Sequence, residues 1–594
     1  MKCCGTSRVE LAGVRWRVEA RSRMLSAVFA AGILTLWAAA FSLPSASAQD
    51  RGQARSMVIS KGGIVASESP LASQAGVRVL ENGGNAVDAA IATNAMMGVV
   101  EPMMNGIGGD LFAIVYDAKA NKLYGLNASG WAPKGLTIEF LQKQGLKEMP
   151  QKGINSVTVP GMVDGWQKLA DKFGRKKLSE DLAAAIATAR DGYPVSEIVA
   201  SYWADEIDLL RSNEAATKAY LPGDRTPKTG EIFKNEDLAW SLQYISEHGR
   251  DGYYKGEIAK KILVAEKMHG GTMTEEDLAK YSAEWVEPIS TTYRDWKVYE
   301  LPPNSSGMAA LEMLNILETT PIGQKGYEFG TPKALHLLIE AKKLAYADLK
   351  QYIGDPRGSD GKGQKLPVET LLSKDWAAAR AKQIDEQKAN CNVTAGEMRG
   401  GTDTTYLTVV DREGNMVSLI QSNYSGFGSG VVAPGTGFVL HNRGGLFTLD
   451  ASSPNALAGH KRPLHTIIPA FAEKTTEKGT TRMAFGIMGG WNQSQAHAQF
   501  VTDIVDYRMN IQAALEAPRF TKLTFAGCDV RLENRFSQKT RDELTAKGHQ
   551  IQLMGSFSAA MGGGQAVVRD FATGVNYGAS DPRKDGEAVP EMPQ

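Results

Sequence analysis

Excess charge of either sign, metal-binding spacings and cysteine are all scarce in this chain, and each scarcity removes a class of function. Lysine plus arginine total 66, aspartate plus glutamate total 66, and the formal net charge is zero. Nothing in that balance favours nucleic acid or an anionic membrane surface as partner. The eight histidines are scattered. None falls in a His-Glu-x-x-His pair and the cysteines show no paired spacing, so a zinc site is not expected. The glycine clusters Gly426-Phe427-Gly428-Ser429-Gly430 and Gly562-Gly563-Gly564 lack the Lys-Ser/Thr that completes a phosphate-binding loop. They also miss the dinucleotide fingerprint in its strand-to-helix setting. There is no Gly-x-Ser-x-Gly elbow to present a serine nucleophile, and no repeat of solenoid type.

What is present fits a large globular body. Hydrophobic residues make up 43% of the 594 residues, enough for a sizeable core in two or more domains or one large α/β body. Arg15, Arg17, Arg21 and Arg23 precede the mostly apolar Leu25 to Leu43. Pro44-Ser45-Ala46-Ser47-Ala48 then closes with the small-x-small pattern of an export cleavage site. Residues 1–48 are read as a signal peptide, with the mature chain starting near Gln49 in the periplasm or outside the cell. The alternatives are a start at Met24 or an uncleaved anchor helix. Of four cysteines, Cys3 and Cys4 would leave with that segment. Cys391 and Cys528 remain, either bonded to each other in an oxidising compartment or standing as two buried thiols.

Periodicity places the elements. Gly83-Gly84-Asn85 turns into an Ala-rich helix through Ala95, and Asn105 to Asp110 is a tight turn into a strand over Leu111 to Tyr116. Ser179 to Arg190 reads as a helix with Ser179 as N-cap. Thr274-Glu275-Glu276-Asp277 fits a capping box. Leu335 to Leu349 reads as an amphipathic helix, and another helix spans about Ala496 to Val505. Gln383 to Asp403 loses all periodicity, as a mobile connection does. Thr405 to Asp411 then alternates like a half-buried strand. Asp411 to Asn415 is a turn, and Met416 to Gln421 returns as the second arm of a hairpin. Late strands lie near Val530 and over Ala566 to Val568. Alternating strands and helices on both sides of the connection imply a layered α/β body. Thr404 stands at the head of the hairpin. By itself such a residue is a turn threonine. If the chain is cut just before it, one residue holds both a hydroxyl nucleophile and an amine base.

Many short motifs in a fixed order give Thr404 its meaning. They are Gly83 to Ala90, Asn105 to Gly109, Pro302-Pro303-Asn304-Ser305-Ser306-Gly307 and Ala345-Tyr346-Ala347-Asp348. After Thr404-Thr405 come Val409-Val410-Asp411, Phe427 to Gly430, Lys461-Arg462-Pro463, Gly489-Gly490, Ala517-Pro518-Arg519-Phe520 and Tyr577 to Arg583. Over nearly the whole mature length the chain resembles the γ-glutamyltranspeptidase family of N-terminal-nucleophile hydrolases. The resemblance implies a four-layer αββα sandwich. It also implies self-cleavage between Asp403 and Thr404 into a large subunit, 49–403, and a small catalytic subunit, 404–594. Thr404 is then the nucleophile and, through its α-amine, the base, with Ser422 supporting the hydroxyl. Gly489 and Gly490 supply the oxyanion N–H groups. No metal or organic cofactor is implied. The partners are a γ-glutamyl-type or related acyl amide, with water or an amine as acceptor.

The acyl pocket departs from the family pattern. The arginine that grips an α-carboxylate is matched by Ser129, before Ala132-Pro133. The acidic residue that binds the α-amine is matched by Leu446, before Phe447. Tyr424 and Arg443 replace an asparagine and a glutamine, and His465-Thr466 replace a Ser-Ser pair. The segment between Phe447 and Lys461 gives no clear sign of the covering lid of many members. A leucine cannot pair with an ammonium. The leading expectation is therefore a γ-glutamyltransferase or glutathione hydrolase-like amidohydrolase, and the alternative an acylase on glutaryl- or cephalosporin-type amides. Arg443 either holds a distal carboxylate or forms a structural ion pair. A non-catalytic exported binding protein of the same fold is the third possibility, and the intact Thr404 set argues against it.

Overall fold

A computed structural model describes residues 53–358, 362–393 and 404–593. The expected export signal and Asp403 lie outside the described residues. Fourteen strands form two seven-stranded sheets. In chain order they are β1 (Val58–Ser60), β2 (Ile64–Ser67), β3 (Asp110–Asp117), β4 (Lys122–Ala128), β5 (Glu284–Val286), β6 (Ile289–Tyr293) and β7 (Trp296–Glu300). They continue as β8 (Thr405–Val410), β9 (Met416–Ser422), β10 (Ala470–Thr476), β11 (Gly479–Ile487), β12 (Gly564–Asp570), β13 (Val575–Ser580) and β14 (Glu587–Pro590). One sheet runs β1-β13-β12-β11-β10-β7-β6 and the other β14-β2-β8-β9-β3-β4-β5. Both mix strands from before and after position 404, so neither half of the chain completes a sheet alone.

Three apolar layers make this an αββα sandwich. Tyr406, Val410, Met416 and Ile420 of one sheet meet Phe471, Ala484 and Val567 of the other. On the outer face of the first sheet, Leu407 and Val409 pack under helices α1 (Pro70–Glu81) and α2 (Ala86–Val100). Helices α3 (Gly307–Glu318), α4 (Pro332–Tyr352) and α5 (Gln493–Val505) cover the second sheet. Each aliphatic side chain buried here contributes about 1.5–3 kcal/mol. Strand β8 is buried along its whole length. It was expected to be half-buried, but Leu407 and Val409 face the helices, Tyr406 and Val410 face the second sheet, and neither side faces water.

The caps follow local chemistry. Asn85 Oδ1 accepts the N–H groups of Val87 and Asp88, and the Asp88 carboxylate accepts the Asn85 N–H. Thr274 and Asp277 form the expected capping box. Ser179 does not cap its helix: the helix spans Leu178–Asp191, and Glu180 reaches back to the N–H of Lys177. Helix α4 is not amphipathic between Leu335 and Leu349 but buried on every side. Its Lys342 survives there by donating to the Thr524 carbonyl at 2.6 Å and facing the Tyr346 ring at 4.0 Å. Lys343 pairs with Glu340 at 2.7 Å. His336, Glu340 and His549 are brought together, yet the two imidazoles bond nitrogen to nitrogen at 2.8 Å. That is closer than the roughly 3.4 Å between two nitrogens on one tetrahedral zinc. Among the described residues no helix is long and apolar enough to cross a membrane.

The two cysteines left open by the sequence are bonded to each other, with Cα atoms 4.9 Å apart and a sequence separation of 137. Cys391 precedes the expected cleavage point and Cys528 follows it. A chain cut between Asp403 and Thr404 is expected to stay one covalent species. Denaturing gel electrophoresis should show a single band without reductant and two fragments with it.

Candidate active site

Thr404 continues the register of the β8–β9 hairpin. Thr405 pairs with Gln421, so the next residues out, Thr404 and Ser422, face each other. Side chains directly opposite share one face of a sheet. The Thr404 hydroxyl donates to the Ser422 hydroxyl at 3.2 Å, and both residues are fully buried. Ser422 Oγ also accepts the N–H of Tyr424 at 2.7 Å. That bond holds Tyr424 at φ 78°, a left-handed conformation that non-glycine residues adopt only where surroundings impose it. A third group reaches the same hydroxyl: Gln493 Nε2 lies 3.4 Å from Thr404 Oγ1. Gln493 begins helix α5, and its side-chain Oε1 accepts the Ile468 N–H at 3.1 Å.

Gly489 and Gly490 lie directly before that helix start. Their φ values are 126° and 57°, and a side chain at either would strain the turn. Among the described residues neither N–H has an acceptor, although both residues are buried. Two buried, unspent backbone donors one turn before Thr404's partner Gln493 are what a developing oxyanion requires.

Beside the hydroxyl pair lies a buried polar cluster centred on Asp110, which stands opposite Ser422 across β3–β9. Its Oδ1 accepts the Gly130 N–H at 3.0 Å. Its Oδ2 takes the His465 Nε2–H at 2.7 Å and lies 3.3 Å from His441 Nδ1 and 3.4 Å from Arg443 Nε. Burial works to raise this carboxyl, but His441 and His465 hold it far below the usual carboxylate range. Arg443 is fully buried; burial pulls its guanidinium down to about 10, with Asp110 opposing. It donates to Thr466 Oγ1 at 2.8 Å and lies over the Tyr424 ring at 4.7 Å. Its Nη2 has no acceptor among the described residues. Burial and Arg443 push His465 down to about 3, so it is a neutral donor. Leu446 and Tyr424 belong to the apolar cluster against the second sheet. Ser129 Oγ accepts from Asn304 Nδ2 at 3.2 Å.

A family model for gamma-glutamyltranspeptidase matches residues 72–591. This chain belongs to the γ-glutamyltranspeptidase family. It is 38% identical over 532 residues to the glutathione hydrolase-like YwrD proenzyme of Bacillus subtilis (strain 168), covering 89% of this chain and 98% of that one. It is 32% identical over 540 residues to the oxamate amidohydrolase proenzyme of Klebsiella pneumoniae, covering 89% and 99%. Among solved structures, the cephalosporin acylase from Bacillus halodurans superposes with a TM-score of 0.82 at 41% identity, covering 93% of this chain and all of that one.

The family motifs led to Thr404, Ser422 and the glycine pair, and the fold brings the hydroxyls together. Tyr424, Arg443, His465 and Thr466 are joined in one network. Asp110, His441 and Gln493 were missed as site residues. Asp110 closes the Asn105 to Asp110 turn, and a carboxylate at the start of an apolar strand was a signal available to the eye. Gln493 follows the Gly489-Gly490 motif by three residues, but no local pattern marks it. The segment after Phe447 folds onto Ala132, Leu136, Leu141 and Met149 through Phe447 and Leu457.

Removing Asp110 leaves a buried guanidinium without its counter-charge. Asp110→Asn is expected to lower unfolding free energy by about 3–5 kcal/mol, read from urea denaturation. His465 has a folded-state pKa below its unfolded value, so the unfolded chain binds its proton first and stability falls as pH drops from about 6.5 towards 3. Asp110 adds a loss only at lower pH, below the unfolded carboxylate value of about 3.9. His465→Gln should therefore flatten the stability-versus-pH curve in the upper window by one proton, about 1.4 kcal/mol per pH unit.

Proposed function

We propose that this chain is a self-processing amidohydrolase in which Thr404, freed by cleavage after Asp403, is nucleophile and base. The observation that carries the reading is the buried Thr404–Ser422 hydroxyl pair at 3.2 Å. In the precursor, Thr404 Oγ attacks the Asp403 carbonyl, nitrogen leaves, and water hydrolyses the ester, giving subunits 49–403 and 404–594. The new α-amine has a reference pKa of about 7.7–8.0, so near neutrality a fraction is free to accept the Thr404 hydroxyl proton. The hydroxyl attacks a substrate amide, Gly489 and Gly490 steady the oxyanion, and water or an amine releases the acyl group. Losing one such donor costs about 2.7–4 kcal/mol of barrier.

The acyl group best supported is one without an α-ammonium. Leu446 offers no charge, and the Asp110 carboxylate is already committed to Gly130, His465 and Arg443. Arg443 Nη2 remains as a donor for a carboxylate or carbonyl at the far end of a glutaryl-like or cephalosporin-type side chain. The 38% identity to a glutathione hydrolase-like proenzyme supports the second reading, a γ-glutamyl donor such as glutathione. Export to the periplasm or beyond, with a mature N-terminus near Gln49, completes the proposal; N-terminal sequencing that finds residues upstream of Leu25 would defeat it.

Intact mass spectrometry should show two fragments for the wild type, one beginning at Thr404, and a single chain for Thr404→Ala, whose turnover should fall roughly 10⁴-fold or more. With the processed wild type, kcat/KM for a glutaryl anilide should exceed that for the γ-glutamyl anilide by about tenfold, equivalent to roughly 1.4 kcal/mol. The opposite preference would restore the γ-glutamyl reading.

A further inference from the structure

Glu68 is a buried carboxyl one residue beyond the end of β2, and the mechanism above leaves it unused. Leu407 pairs with Ser67, which sets Glu68 across from Tyr406. At that position the β2 backbone no longer serves the ladder. Instead the Glu68 side chain turns in, and Oε1 accepts the Tyr406 N–H at 3.0 Å. Its second oxygen is buried and has no hydrogen-bond partner among the described residues. A buried carboxyl oxygen left unpaired is unfavourable, and the contacts of the uncut chain do not satisfy it.

Backbone alternation supplies a candidate. N–H groups two residues apart on a strand point to the same edge. Thr404 keeps the register of β8, as its contact with Ser422 requires. Its nitrogen therefore lies on the edge that carries the Tyr406 N–H and Glu68. Two residues of strand advance about 6.8 Å. One carboxylate bridges that interval when each oxygen accepts an N–H at about 2.9 Å. Before cleavage the Thr404 nitrogen is an amide with one hydrogen and no charge. After cleavage it is an amine with additional hydrogens to donate.

We infer that Glu68 is a positioning residue for the Thr404 α-amine in the processed enzyme, accepting an N–H from it so that the amine lone pair faces Thr404 Oγ. The inference rests on the self-processing reading. Glu101, Lys584 and Asp581 bear on the Glu68 charge: burial and then Glu101 push its carboxyl well above the ordinary range, while Lys584 opposes them. Burial thus favours the neutral acid form of Glu68 in the uncut chain. The freed amine and this acid exchange one proton, –COOH with H₂N– giving –COO⁻ with ⁺H₃N–, and the reverse transfer returns the amine to its basic form. The two groups titrate as a pair. Glu68 touches the amine and not the substrate, and so acts through Thr404.

The test uses the processed enzyme. A crystal structure of the cut wild type should place a Glu68 oxygen within about 2.6–3.2 Å of the Thr404 nitrogen. Glu68→Gln keeps an acceptor for the Tyr406 N–H but removes the negative charge that favours an ammonium. The acid limb of its kcat/KM profile should move to lower pH by about one unit, a tenfold change in proton concentration. A mere loss of folded protein lowers the amplitude and leaves the midpoint in place. A cut wild type with Glu68 out of hydrogen-bond reach of Thr404, or a Glu68→Gln limb that coincides with wild type, overturns this inference alone. A wild-type chain that is never cut overturns the processing reading and this inference with it.

Discussion

Strand β8 is paired on both edges and packed on both faces, and the arrangement of the site depends on that confinement. It lies between β2 and β9 in the plane of its sheet, under helices on one side and against the second sheet on the other. A strand held in four directions cannot slip by one residue without sending its inner side chains outward. Thr404 inherits that fixity as the next residue along. Its hydroxyl meets Ser422 because the hairpin register sets the two side chains opposite each other on one face. Under the proposed function, a hydroxyl held this way loses little freedom when a substrate arrives, which is the source of much catalytic advantage.

Burial makes the polar groups around Thr404 depend on one another. Asp110, His465, His441 and Arg443 sit where water does not reach, and each satisfies part of another's need. The carboxylate keeps the guanidinium charged, and the neutral imidazole gives the carboxylate a short hydrogen bond. Such clusters are costly to break because the surviving partner stays buried. Under the proposed function, the acyl group meets one positive and one negative charge already paired, with a spare donor on Arg443. Leu446 and the Tyr424 ring, over which the Arg443 guanidinium lies, add apolar surface beside them.

The two halves of the chain are interlocked at two levels. Each sheet contains strands from both sides of position 404, and the Cys391–Cys528 bond crosses the same divide. Separating the halves would expose strand edges and the inter-sheet core together, so cleavage of one backbone bond need not loosen the fold.

Local sequence carried a large part of this. The β8–β9 hairpin, the Asn85 and Thr274 caps and the helix after Gly489-Gly490 were legible because each is set by side chains within a few residues. Ordered motifs singled out Thr404, Ser422 and the glycine pair, and the fold brings the two hydroxyls together. The sequence also recorded the missing ammonium clamp, since Leu446 is uncharged wherever it sits. Other features required the tertiary structure. Helix α4 reads as amphipathic in isolation, because a pattern cannot reveal that a second layer covers its polar face. Ser179 lost its cap role to Lys177 and Glu180 by a shift of two residues. The cysteine pairing, the Asp110 network and the approach of Gln493 to Thr404 join residues 89 to 355 positions apart. Contacts at that distance are set by the packing of whole sheets, and short-range chemistry holds no record of them.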